Sequence, residues 1–275
     1  MIPTVSKPAV SAVRNKGQVW TPRWVADAMA ILLIENLSDG LLDPAIGPGA
    51  LVAACRDLTK NDLKVKAFEI YESVLSPENS QNGFAKDQIT ELSLTSFIDD
   101  RKNFKVGAII ANPPYLRHHK IAPEIKKRCQ EIVQSELGVK IDARAGLHIY
   151  FLVKSLAHLK KGGRLVFLLP ADTFEGVFAN SLWSAIAMRY RIDGVITLSS
   201  QVAAFPGVDT NALIVSISNN TPTETMIWSC WAGADRDSFA PAVASAFAGQ
   251  FESAGEFGLA CETVSIQNAI TRGFT

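Results

Sequence analysis

The chain has 275 residues, 48% hydrophobic and 20% charged, with 27 basic and 27 acidic side chains; wholesale disorder is excluded, and one large α/β domain, or one domain and a partial second, can be built. No apolar run reaches the roughly 18 residues of a bilayer span, residues 1–16 lack the apolar core of a secretory signal, and the four cysteines form no C-x-x-C pair or metal-spaced cluster; the expectation is a cytoplasmic protein without disulfide framework or metal site. A net charge of zero departs from the basic excess of a freestanding nucleic-acid binder.

In chain order, residues 22–37 read as a helix, with Thr21 as its cap and Pro22 near the first helical position. Residues 41–45 form a first strand, and Gly47-Pro48-Gly49 a tight turn into a helix over 50–58. A second strand follows at 64–70 and a weaker third near 92–97. The apolar run 106–111 is of the kind buried in a central strand, and it ends on Asn112. After an irregular stretch, 147–159 is helical, with Lys161-Gly162-Gly163 as its stop, and 164–169 is another buried strand. Residues 192–198 and 212–217 are the last two strands, joined through Phe205-Pro206-Gly207. The alternation predicts a doubly wound, Rossmann-like α/β sheet of seven strands, mostly parallel with a final antiparallel strand, in a domain covering 1–220. From Thr221 onward Ala, Ser, Gly and scattered aromatics follow no clear period, so 221–275 reads as a linker or the start of a further region.

Three features carry chemistry. In Asp43-Pro44-Ala45-Ile46-Gly47-Pro48-Gly49 a strand runs through a glycine turn into a helix, which lets a ligand approach the backbone. Such turns also join strands to helices where nothing binds, but Asp43 adds a carboxylate suited to an ammonium group. Glu69, at the end of the second strand, is placed to accept from ribose hydroxyls, unless it is an ordinary surface glutamate. Asn112-Pro113-Pro114-Tyr115 follows the buried strand directly. Its two prolines fix the backbone and remove two amide donors, leaving the Asn112 side-chain oxygen and the Pro113 carbonyl as acceptors for a planar amine. Tyr115 offers a face on which a base stacks.

Asp-Pro-Ala-x-Gly-x-Gly followed by Asn-Pro-Pro-Tyr resembles the gamma class of adenine-N6 DNA methyltransferases, the TaqI-like enzymes of restriction-modification systems, over residues 17–218. Gly17-Gln18-Val19-Trp20-Thr21-Pro22 is similar to the motif that closes over the methionine part of the cofactor. Ala204-Phe205-Pro206-Gly207 is similar to the segment whose phenylalanine stacks on the extruded base. The resemblance implies methyl transfer from S-adenosylmethionine to the N6 amine of a flipped adenine in double-stranded DNA, in a bacterium or archaeon. Asn112, Pro113 and Tyr115 would be catalytic. Trp20, Thr21, Pro22, Asp43, Ala45, Gly47, Gly49, Glu69, Ile70, Ser96 and Asn112 would hold the cofactor. Pro114, Tyr115, Phe205, Arg117 and Lys120 would meet the target.

Two positions depart from the family pattern: Pro48 removes an amide inside the glycine loop, and Ser96 stands where an acid usually binds the cofactor's adenine. Arg117, Lys120, Lys126, Lys127 and Arg128 surround the single acid Glu124, an excess suited to phosphates or to a solvated helix face. His118 and His119 belong to the same polar loop. No cysteine follows a proline, so the Pro-Cys nucleophile of cytosine-C5 enzymes is missing. The tetrapeptide also occurs in enzymes that methylate release-factor glutamine or a guanine amine of ribosomal RNA, and the segment 17–22 argues against both. A third alternative is a non-catalytic cofactor-binding subunit. In the gamma class specificity usually resides in a C-terminal domain, so a longer protein or a partner subunit is expected to supply target recognition.

Overall fold

The computed structural model describes residues 20–59, 62–80, 84–199, 212–233 and 235–272. Its strands are β1 (Leu41–Asp43), β2 (Val65–Phe68), β3 (Glu91–Ser93), β4 (Val106–Ala111), β5 (Leu159–Pro170), β6 (Arg191–Leu198), β7 (Ala212–Ser218), β8 (Thr225–Trp231) and β9 (Leu259–Ser265). The helices are α1 (Arg23–Ile31), α2 (Ala50–Thr59), α3 (Pro123–Leu137), α4 (Leu147–Leu156), α5 (Ala179–Ala187), α6 (Phe239–Phe247), α7 (Phe251–Glu256) and α8 (Ile266–Arg272). Among the described residues no helix is long and apolar enough to cross a membrane.

The strands form one sheet in the order β3-β2-β1-β4-β5-β7-β6-β8-β9. β1, β2, β3, β4 and β5 pair in parallel, β7 runs antiparallel to both β5 and β6, and β9 antiparallel to β8. The chain leaves β1 toward β2 and β3, then returns to β4 on the other side of β1. A crevice therefore opens beyond the carboxyl ends of β1 and β4, the usual ligand position in such sheets. Ile109 and Ala111 of β4 pack into one core layer with α3, α4 and α5, while Ala108 and Ile110 pack into the other with α1, α2 and α6. Burial on both faces explains why this strand reads as an unbroken apolar run.

Among the described residues nine strands replace the expected seven. β8 pairs in parallel with β6, and β9 closes that edge, so residues 225–272 continue the sheet. The period is hard to read there because β9 is largely exposed or half-buried, while α6 packs with alanines and Phe239. Lys161-Gly162-Gly163 is not a helix stop: α4 ends at Leu156 and the triplet lies inside β5. Gly162 has φ 78°, and the β4–β5 register shifts between Val106 and Ala108, so the glycines accommodate an irregularity beside β4. Helix α1 is shorter than expected, and its cap residue is Pro22, not Thr21. The stretch before residue 147, read as irregular, contains α3.

Candidate active site

The end of β1 is pinned by its own side chains. Asp43 is fully buried, and its Oδ1 accepts the Ala45 amide at 3.1 Å. Its Oδ2 is buried with no hydrogen-bond partner among the described residues. Burial pushes this carboxyl up to about 7; the Ala45 amide opposes the shift, and the nearby Glu69 charge adds to it. Glu69, also buried, accepts the Gly47 amide on Oε2 at 3.1 Å and the Ile70 and Tyr71 amides on Oε1 at 2.9 Å each. The carboxylate thus braces the glycine turn against the end of β2. Gly49 has φ 85°, and a Cβ there would lie 2.1 Å from the Phe84 ring, so only glycine fits. The Gly49 amide donates to Ile46 O at 3.1 Å and Pro48 has no amide, leaving little of this loop's backbone for a ligand.

Beyond these strand ends lies a cleft of about 340 Å³. Trp20, Thr21, Ala45, Gly47, Glu69, Ile70, Ser96, Asn112 and Pro114 all border it. Asp43, Gly49, Pro22, Pro113, Tyr115, Arg117 and Lys120 are not among its walls. Asp43 sits behind the wall, Gly49 serves packing, and the Pro22 carbonyl accepts the Val25 and Ala26 amides at 3.1 and 3.0 Å. Phe205 and residues 17–19 lie outside the described residues.

The tetrapeptide joins β4 to this cleft. Asn112 Nδ2 donates to Thr21 Oγ1 at 3.0 Å, linking residues 91 positions apart. Tyr115 is half-buried; its hydroxyl donates to Leu168 O at 3.1 Å, and its ring meets His148 edge-on, with centroids 5.8 Å apart. Burial pushes the Tyr115 phenol up and the His148 imidazole down to about 4, so both are neutral near pH 7. Arg117 is exposed, and its charge faces Asp172, whose carboxyl burial nevertheless raises. Lys120 is exposed in the turn His118–Lys120, and Arg128 on α3 is paired with Asp99.

The sequence did not single out helix α4 as part of the site. Leu147 and Phe151 border the cleft, and the Leu147 amide donates to Leu116 O at 2.9 Å, directly after the tetrapeptide. Lys154, buried on the same helix, donates to the carbonyls of Phe97, Ile98 and Asp100. It thereby fixes the loop of Ser96 and Phe97, which forms another wall. In sequence these apolar positions are indistinguishable from core, and a lysine in an apolar helix reads as a surface residue.

A family model described as N-6 DNA Methylase matches residues 4–235. The chain is 28% identical over 214 residues to the type II methyltransferase M.AccI of Acinetobacter calcoaceticus, covering 75% of this chain and 37% of that protein. It is 25% identical over 198 residues to the type II methyltransferase M.HincII of Haemophilus influenzae, covering 72% and 36%. The chain thus spans little more than a third of the curated relatives it matches. Among solved structures, the type IIG restriction endonuclease BpuSI superimposes with a TM-score of 0.73 at 14% identity, over 96% of this chain and 34% of that one.

Proposed function

The chain belongs to the N-6 DNA Methylase family, and from that premise we propose that it transfers a methyl group from S-adenosylmethionine to the N6 amine of an adenine in double-stranded DNA, within a restriction-modification system. The observation that carries this reading is the meeting of Asn112 and Pro114 with Thr21 and Glu69 around one cleft at the ends of β1, β2 and β4.

The cleft fits the cofactor chemically. Its size is that of a small-molecule site, and Phe68, Phe97 and Phe151 give apolar walls for a purine. Glu69 supplies carboxylate oxygens at the rim for ribose hydroxyls, although three amides already share them. Asp43, with one unpartnered buried oxygen and a carboxyl raised to about 7, stands behind the wall where a positively charged ligand would favour its ionised form. Bound there, the cofactor supplies an electrophilic sulfonium methyl. The chain's task is then to position and polarise the amine. The Asn112 Oδ1 and the Pro113 carbonyl accept its two N–H groups and raise electron density on nitrogen. The amine gains the methyl and releases one proton to solvent. Tyr115, held by Leu168 and His148, offers its ring to a base flipped out of the duplex. Arg117 and Lys120, exposed beside the tetrapeptide, contact phosphates.

Target choice is assigned to a specificity domain or subunit supplied elsewhere. A chain with 27 basic and 27 acidic residues, whose Arg128 is already paired, provides a small phosphate grip of its own. In this reading residues 1–220 carry the catalytic and cofactor-binding residues, and 221–275, of which β8 and β9 extend the same sheet, lead toward a recognition region.

The test uses labelled cofactor with unmethylated genomic DNA, release factor or ribosomal RNA. Label on DNA, recovered as N6-methyladenine and abolished by Asn112→Ala with cofactor binding retained, is the expected result. Label on release factor or ribosomal RNA refutes the DNA reading, and binding without any transfer favours a non-catalytic subunit.

A further inference from the structure

Thr21 and Asn112 are 91 positions apart in the chain, yet their side chains meet at 3.0 Å. Each residue precedes a proline, Pro22 and Pro113, so each backbone is restricted to extended conformations. Thr21 is only 6% exposed, and the helix that follows is anchored by Val25, Ala26, Met29 and Ala30, all fully buried. Arg23 in its first turn adds ion pairs to Asp27 and to Asp57 on α2. The Thr21 hydroxyl is therefore a fixed point against which the Asn112 side chain can be set.

A side-chain amide has two ends of opposite character. Turned one way, Asn112 presents an acceptor to an incoming amine; turned the other way, it presents N–H donors to the amine's own N–H donors. The structure holds the first orientation: Nδ2 donates to Thr21 Oγ1, which sets the nitrogen toward Thr21 and the oxygen away, and the hydroxyl, able to accept or donate, anchors the amide there without alone choosing its end. We propose that Thr21 is a positioning residue for the transfer: its hydroxyl holds the Asn112 amide with Oδ1 turned toward the target amine. This rests on the methyl-transfer reading above and gives Thr21 a second task besides bordering the cofactor cleft.

The experiment compares full-chain Thr21→Val, which keeps the shape and loses the hydroxyl, with Thr21→Ser, which keeps the hydroxyl. The first readout is single-turnover transfer of labelled methyl to unmethylated genomic DNA at saturating S-adenosylmethionine. The second is solvent exchange of the Asn112 side-chain amide protons, followed by nuclear magnetic resonance without DNA. Thr21→Val is expected to slow transfer about tenfold and to speed amide exchange, as one neutral hydrogen bond is lost. Thr21→Ser is expected to stay within about twofold of the parent in both, since the bond is retained. A Thr21→Val chain that reaches the parent rate once cofactor saturates would overturn the proposal and leave Thr21 as a cleft wall. Unchanged amide exchange, or a serine variant as slow as the valine one, would overturn it equally. A parent chain that transfers nothing to DNA refutes the methyl-transfer reading alone, and amide exchange then decides the Thr21 contact by itself.

Discussion

Replacing Glu69 by Gln separates bracing from ligand binding at the tip of β2. The carboxylate accepts Gly47 N on one oxygen and both Ile70 N and Tyr71 N on the other. A glutamine amide has one oxygen, and that oxygen keeps the pair; its NH2 then faces the Gly47 amide, donor against donor. One charge-assisted bond is lost and a buried amide is left unsatisfied, at a cost of about 2 kcal/mol. For a chain of this size that lowers Tm by roughly 4–8 °C. The oxygen replaced by NH2 also ceases to accept from a ribose hydroxyl, which raises the cofactor Kd by about ten- to a hundredfold. Scanning calorimetry of the free protein and calorimetric titration with S-adenosylmethionine measure the two effects. A lowered Tm with a Kd within about twofold of the parent's would confine Glu69 to bracing. If neither quantity moved, the three-amide brace itself would be refuted.

Two pH effects follow from burial. Asp43 has its carboxyl raised to about 7, above its unfolded value, so the free fold loses stability as pH climbs from about 4 through 7. Asp43→Asn lacks that decline: relative to the parent it should gain about 3 kcal/mol between pH 5 and pH 8, read from urea unfolding of the cofactor-free protein. A constant difference across this range would contradict the assigned cause. His148 behaves with the opposite sense, since burial holds it down to about 4 and the unfolded chain takes up a proton first. The parent should therefore weaken as pH falls from about 6.5 to 4, by up to about 3 kcal/mol, and His148→Leu should be spared that loss. Parallel stability curves for the two proteins would show that His148 is not the group responsible.

Much of the centre of this molecule was legible locally. β4 matched its apolar run from Val106 to Ala111 because a strand buried on both faces needs no tertiary information to be recognised. The turn after β1 was legible in Gly47 and Gly49 for the same reason: a positive φ demands glycine whatever surrounds it. The edges were harder. β9 pairs on one side only and buries little, so its residues carry a weak pattern, and two strands went unseen beyond the expected seven.

The sequence by itself determined the chemistry available: a tetrapeptide that lacks two of its amide donors, a glycine turn, and acids at two strand ends. Such features are set by covalent structure and backbone sterics, which act over a few residues. Only the tertiary structure decided which groups face the cleft and which stand behind it. It moved Thr21 from helix cap to partner of Asn112, withdrew Asp43 behind the wall, and spent part of Glu69 on three backbone amides. It also brought Leu147, Phe151 and Lys154 of α4 into the site. Those assignments depend on distances between residues far apart in the chain. Sheet order and helix packing fix these distances, and no local pattern encodes them.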